Sequence, residues 1–375
     1  MFENNKADIA YKISLLLCWI VTLACCSFLY YQSVFYFNRT PWDGTFQTLF
    51  PLLKMDHGSF PGEDYFYFHG NGIPYLLYPL YFIFKNVFNI SSVMSALTST
   101  YIINTLFLLI PMYMLLRKVM SVNIASAVLL FYLAVCNFIP YTGGYLSPLF
   151  LGAPMAIRFS PHIIMALVVF YILDDVKSSN LFKLALFGVI GAICVFLAAE
   201  QGFYAVGGAL VAMFIYYFTV NIKQAFIFPF SALFVFICCF IGLNYLLFGN
   251  IETIKSIQVI SNDQAWVFGV FPNRFYDNFS EVFSFDIIDG VPSQVTTIVS
   301  VLATLFVIVL MLTKTLQGKS KIFAFSLFTL FFGSLLSWAS NIGYIGAHQA
   351  ALNVRYLYLI GSFVALGLFV KKGVN

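Results

Sequence analysis

Asp43, Asp56, His57, Glu63, Asp64 and His69 fall within 27 consecutive positions of the interval 38–72, in a chain only 9% of whose residues are charged. Carboxylates and imidazoles at this density can move protons, orient hydroxyl groups or hold a cation. Asp43, in Pro41-Trp42-Asp43-Gly44, fits two roles: a general base, or the N-cap of a short helix. Glu63-Asp64, in FPGEDYFYFHG, can orient a ligand hydroxyl, bind a divalent cation or replace Asp43 as base. After Pro61-Gly62 the same pair also reads as a solvated turn. His69 opens HGNG, whose glycines either let backbone amides approach an anion or form the turn into the next segment.

The elements that must position these residues are membrane helices. A hydrophobic share of 61% with 45 Phe and a mean hydropathy of +0.91 exceed the roughly 45–50% apolar share of soluble domains. The apolar runs are mostly about 20 residues long and lack barrel-strand alternation, so they predict spanning helices. Ten are predicted, at 13–37, 95–116, 121–141, 158–176, 184–203, 205–221, 224–248, 293–313, 322–341 and 353–370. The first follows Lys6 and Lys12 but is too long for a signal peptide's apolar region and reads as a retained helix. The segment 73–88 is short and holds Pro74 and Pro79. It predicts an interfacial or re-entrant helix at the outer face, a true span being the lesser alternative. The interval 250–292 is too short for a typical separate domain and predicts one or two further interfacial helices. The chain reads as a single membrane domain.

With both termini cytoplasmic, the inner face carries 12 of the 19 basic residues, as the positive-inside rule requires, while 11 of the 15 acidic residues and all four histidines lie at the outer face. Any chemistry is therefore expected outside the cytoplasm. Arg158 and Arg355 stand at outer helix ends in apolar surroundings, where an unpaired cation is costly. Each fits either a functional anion site or snorkelling to headgroups. His162 follows Arg158 by four positions, so both can share a helix face. Glu200-Gln201 falls near the end of the predicted helix 184–203, positioned to contact hydroxyl groups, pair with an arginine or simply reach water. Asp174-Asp175 reads as a solvated inner helix end, the seven cysteines as small core hydrophobes, and the sequons at Asn38, Asn89 and Asn278 as chance matches.

The order of these features resembles the GT-C superfamily of membrane glycosyltransferases. One N-terminal helix is followed by a long outer loop with an early acid (Trp42-Asp43-Gly44), then FHGNGIPYLLYPLY, similar to the family's "HGPLPLY" segment. A helix ending in Arg117-Lys118 follows, then a helix ending in an aromatic outer turn, and Arg-Phe-Ser-Pro-His at 158–162 opens the next helix. The resemblance covers about the first 180 residues. It implies sugar transfer from a polyprenyl-phosphate donor to a glycan or lipid-linked acceptor at the outer face of the plasma membrane, with inversion. It further implies Asp43 as base, with Glu63 and Asp64 as supporting acids, and Arg158 with Arg355 on the donor phosphate. His69, His162 and Glu200 are expected among the binding residues. Metal-dependent members add acids from the next outer loop, and residues 142–157 contain none, so no cofactor is expected. No nucleic-acid partner is expected either. The small size resembles the O-antigen-modifying members. An O-antigen-type polymerase is the nearest alternative. A lipid-linked glycan flippase would need charges along the helix interiors, which this chain nearly lacks.

Overall fold

The computed structural model describes residues 13–28, 42–67, 69–138, 154–175, 179–249, 287–288, 291–292 and 318–341. They form helices α1 (Ile13–Phe28), α2 (Trp42–Asp56), α3 (Gly72–Phe82), α4 (Ser92–Leu116) and α5 (Val122–Phe138). After these come α6 (Met155–Asp174), α7 (Asn180–Leu197), α8 (Ala199–Val220), α9 (Ile222–Phe248) and α10 (Gly318–Asn341). Five of them, α4 and α6 to α9, are long and apolar enough to cross a membrane, which makes the chain an all-α, membrane-embedded protein. The predicted spans at 293–313 and 353–370, and Arg355 with them, lie outside the described residues. Of the interval 250–292, where interfacial helices were expected, the described residues form a two-residue antiparallel ladder, β1 (Ile287–Ile288) against β2 (Val291–Pro292).

Local signals start the helices as polar caps should. Ser91 and Ser179 accept from Met94 N and Phe182 N, and Asn221 accepts from Lys223 N, each satisfying an amide that the helix leaves open. In α6, Pro161 cannot donate to the Ile157 carbonyl. The Ser160 hydroxyl donates to it instead, at 2.9 Å, so the Arg-Phe-Ser-Pro-His sequence continues as helix through its proline.

Close contacts fix how the helices run. Gly202 meets Val195 and Gly191 meets Val206, so α7 and α8 form an antiparallel hairpin. Gly208 meets Gly333, and Tyr216 packs edge-on against Phe325, so α8 and α10 are antiparallel as well. Small residues let these backbones approach, as suits helices that associate without a hydrophobic drive between them. The outward faces are apolar instead: Phe230 and Phe234 of α9 are 66% and 68% exposed, as a surface against hydrocarbon requires.

The first turns of α6 and α8 and the last turns of α7 and α9 share one end of the bundle with the segment 42–91. There α3 continues into a π-helical turn, Ile83–Val87. At 11 residues, α3 is too short to span. Leu52, Ile73, Leu77 and Tyr81 pack it onto α2 and α4, while Val87 and Phe88 remain exposed. Asp56 closes this unit by accepting from Lys85 Nζ and from the Tyr81 hydroxyl at 2.7 Å. Burial pushes the Asp56 carboxyl up, but its hydrogen bonds from Lys85 and the tyrosines hold it below its ordinary value.

Candidate functional site

Arg158 and His162 lie one turn apart on α6, facing Glu200 and Gln201 in the first turn of α8. The Arg158 guanidinium donates to Glu200 Oε2 at 3.0 Å, and His162 Nε2 meets Gln201 Oε1 at 3.0 Å. Two rungs therefore join the helices, an outer ion pair and an inner neutral pair. The outer side chains are 14% and 29% exposed, whereas His162 and Gln201 are fully buried. Among the described residues, His162 Nδ1 has no hydrogen-bond partner, and it faces Gly333 of α10. With Oε1 accepting, the proton belongs on Nε2, so the orphan is a bare acceptor rather than a stranded N–H.

Glu200 corrects an expectation: it sits in the first turn of α8 and not near the end of one longer helix. The break falls at Ala198, an extended residue with φ −143° and ψ 90°. Its cause is tertiary. The loop residue His69 presents its carbonyl to Ala199 N at 2.9 Å, capping the new helix from outside. A carboxylate in that first turn then meets the positive end of the α8 dipole.

The loop carrying His69 is built for this approach. Gly70, at φ +136°, lies so close to α7 that a Cβ would stand 2.5 Å from the Leu197 carbonyl oxygen. The Gly70 amide donates to the Tyr67 carbonyl, and Asn71 Oδ1 accepts from Tyr67 N at 2.9 Å. The glycines of HGNG thus serve the turn and its docking on α7. The His69 ring is held by Gln47 Oε1 at 3.0 Å and packs edge-on against Tyr67. Burial, with Arg158 adding to it, drives the His69 pKa well below its ordinary value, so the imidazole is neutral. Burial likewise pushes the Tyr67 phenol up, and the Arg158 charge only partly offsets this.

His69, Arg158, His162 and Glu200, four of the sequence-predicted residues, therefore meet at one end of the bundle. Asp43 lies in the first turn of α2, one turn before Gln47, with its side chain outside the described structure. Glu63 and Asp64 lie in an exposed turn that packs on Phe248 of α9 through Gly62. Asp64 Oδ2 accepts from Phe60 N at 2.7 Å and so helps to close that turn. Among the described residues, no three His, Cys, Asp or Glu side chains gather as a metal site would need.

Sequence reasoning did not single out Gln47, Tyr67 or Asn104, nor did it give Gln201 a role of its own. Asn104 is buried in α4 and accepts from Ile157 N at 3.3 Å, capping α6 in trans. Asn104 and Gln201 carried a usable signal: a polar side chain inside an apolar run is costly unless paired. No protein-family model, curated protein or solved structure matches the chain.

Proposed function

We propose that the chain is a GT-C-type glycosyltransferase with ten membrane spans, transferring a hexose from a polyprenyl-phosphate donor to a cell-surface glycan or lipid-linked acceptor at the outer face of the plasma membrane. In this reading Asp43 takes the proton of the acceptor hydroxyl as its oxygen bonds to the anomeric carbon. The bond from that carbon to the phosphate oxygen breaks on the opposite side, and its electron pair leaves with the phosphate. The product is inverted. Arg158, joined by Arg355, stabilises the departing charge, His69 and Glu200 line the binding region with the buried His162 behind them, and Glu63 and Asp64 support the acceptor.

The observation that carries this reading is the placement of Arg158. Its guanidinium is only partly exposed, at the end of the bundle where the positive ends of α6 and α8 converge, near His69 and Tyr67. Glu200 takes one of five guanidinium N–H donors. The remaining donors suit a phosphate oxygen, and the neutral imidazole adds no competing cation.

The test is the surface glycan of a strain lacking the chain, complemented with wild type or Asp43→Asn and read by mass spectrometry. Loss of one hexose per repeat with chain length intact is the expected outcome, with activity down by at least about 100-fold. Loss of chain length would point to a polymerase. Full modification by Asp43→Asn at normal protein levels would remove Asp43 from the mechanism.

A further inference from the structure

We propose that the buried His162–Gln201 pair, backed by Gly333, is the positioning device that sets the Arg158 guanidinium for anion binding. The inference rests on the phosphate-binding reading of Arg158 given above and assigns the site a positioning residue, Gln201, that touches no ligand.

The argument starts from the weakness of the outer rung. An ion pair with side chains 14% and 29% exposed loses strength to solvent and must also hold two long side chains in one geometry, so such pairs contribute little by themselves. Glu200 alone does not fix Arg158. The inner rung lies one turn deeper on α6 and one residue further on α8, and it is fully buried. A hydrogen bond there has no water to exchange with, and breaking it strands polar atoms in the core. It therefore fixes the rotation of the first turn of α8 about α6, and with it the direction in which Glu200 holds the guanidinium.

Gly333 locks the imidazole from the third side. A Cβ at that position would stand 2.4 Å from His162 Nδ1 and 3.1 Å from the Tyr204 carbonyl oxygen. The ring is thus seated between a glycine on α10 and an amide on α8. On α8 itself, Gly202 sits against the Cys194 carbonyl, where a Cβ would come within 2.6 Å, so that turn cannot rotate to compensate. Arg158 is accordingly oriented by α6, α8 and α10, although its ion pair joins only the first two.

The experiment titrates the purified full-length protein in lipid nanodiscs with a polyprenyl monophosphate carrying no sugar, so it does not depend on transfer. Arg158→Gln, Gln201→Leu and Gly333→Ala are each expected to weaken binding by about tenfold. On the Arg158→Gln background, Gln201→Leu and Gly333→Ala should add nothing, because they act only through Arg158. The exchange His162→Gln with Gln201→His rebuilds the pair in reverse and should restore affinity to within about threefold. Should Gln201→Leu fail to fold, Gln201→Asn, whose amide stops one methylene short, carries the same expectation.

Wild-type affinity in folded Gln201 and Gly333 variants overturns the inference while leaving Arg158 in the site. Equal weakening with and without Arg158 also overturns it, since that is the mark of a merely structural contact. Wild-type affinity in Arg158→Gln overturns the phosphate-binding reading itself, and the inference with it.

Discussion

His69 keeps its ring inside the protein, bonded to Gln47, while its main-chain carbonyl caps the first amide of α8. Protonation of the ring would put a second cation beside Arg158 in a place with little solvent to screen it. Burial first, and Arg158 second, therefore hold the folded pKa below the unfolded value of about 6.5. As pH falls, the unfolded chain takes up this proton before the folded one does. Stability from this group is full above about pH 6.5 and declines below it, by at most about 1.4 kcal/mol per pH unit, until the folded imidazole titrates. Thermal unfolding in detergent from pH 7.5 to 4.5 should show the midpoint falling. The fall should be shallower in His69→Gln, which keeps a polar partner for Gln47 and removes the titration. An unchanged slope in that variant would mean that other groups carry the acid sensitivity.

At the scale of elements, the loop that carries His69 and the junction between α7 and α8 define each other. Gly70→Ala adds both a strained φ and a clash with the Leu197 carbonyl, and should cost about 2–5 kcal/mol of local stability. Gly58→Ala is the matched control: its φ is also positive, at +82°, but nothing lies within 4 Å of the added carbon. It should cost only about 1 kcal/mol. Hydrogen exchange at the Ala199 amide, whose acceptor is the His69 carbonyl, reads the difference directly. It should speed up by at least tenfold in Gly70→Ala and little in Gly58→Ala. The same junction marks what the sequence hid. The helices 95–116, 224–248 and 322–341 were legible as long apolar runs, and 92–116, 222–248 and 318–341 are what form. The break at Ala198 was not, because Leu197, Ala198 and Ala199 all favour continued helix and the capping carbonyl comes from a residue over 100 positions away in the chain. Only Glu200, an acid suited to a first turn, marked the start of α8. Arg158, His162 and Glu200 could be chosen from their types and surroundings, whereas Gln47 and Tyr67 become visible only once α2 and the loop have folded over them.

For the whole molecule, the distribution of basic residues predicts which side of the membrane the candidate site faces. Arg117 and Lys118 follow α4, Lys183 lies in the first turn of α7, Lys223 in that of α9, and Lys319 and Lys321 in that of α10. The alternation of the helices brings all of these to one end of the bundle, where Lys319 Nζ lies 3.6 Å from Asp174. Arg158, Glu200, His69, Glu63 and Asp64 lie at the other end. Lysine and arginine near helix ends favour the cytoplasmic side, so the site should face outward, as the proposed lipid-linked donor requires. Single cysteines on a cysteine-free background test this with a membrane-impermeant maleimide. Glu63→Cys should label in intact cells, whereas Lys319→Cys, at a side chain 69% exposed, should label only after permeabilisation. The reverse pattern would put the site in the cytoplasm and exclude a donor presented at the outer face. Labelling of both in intact cells would break the link between helix alternation and sidedness on which the proposed chemistry depends.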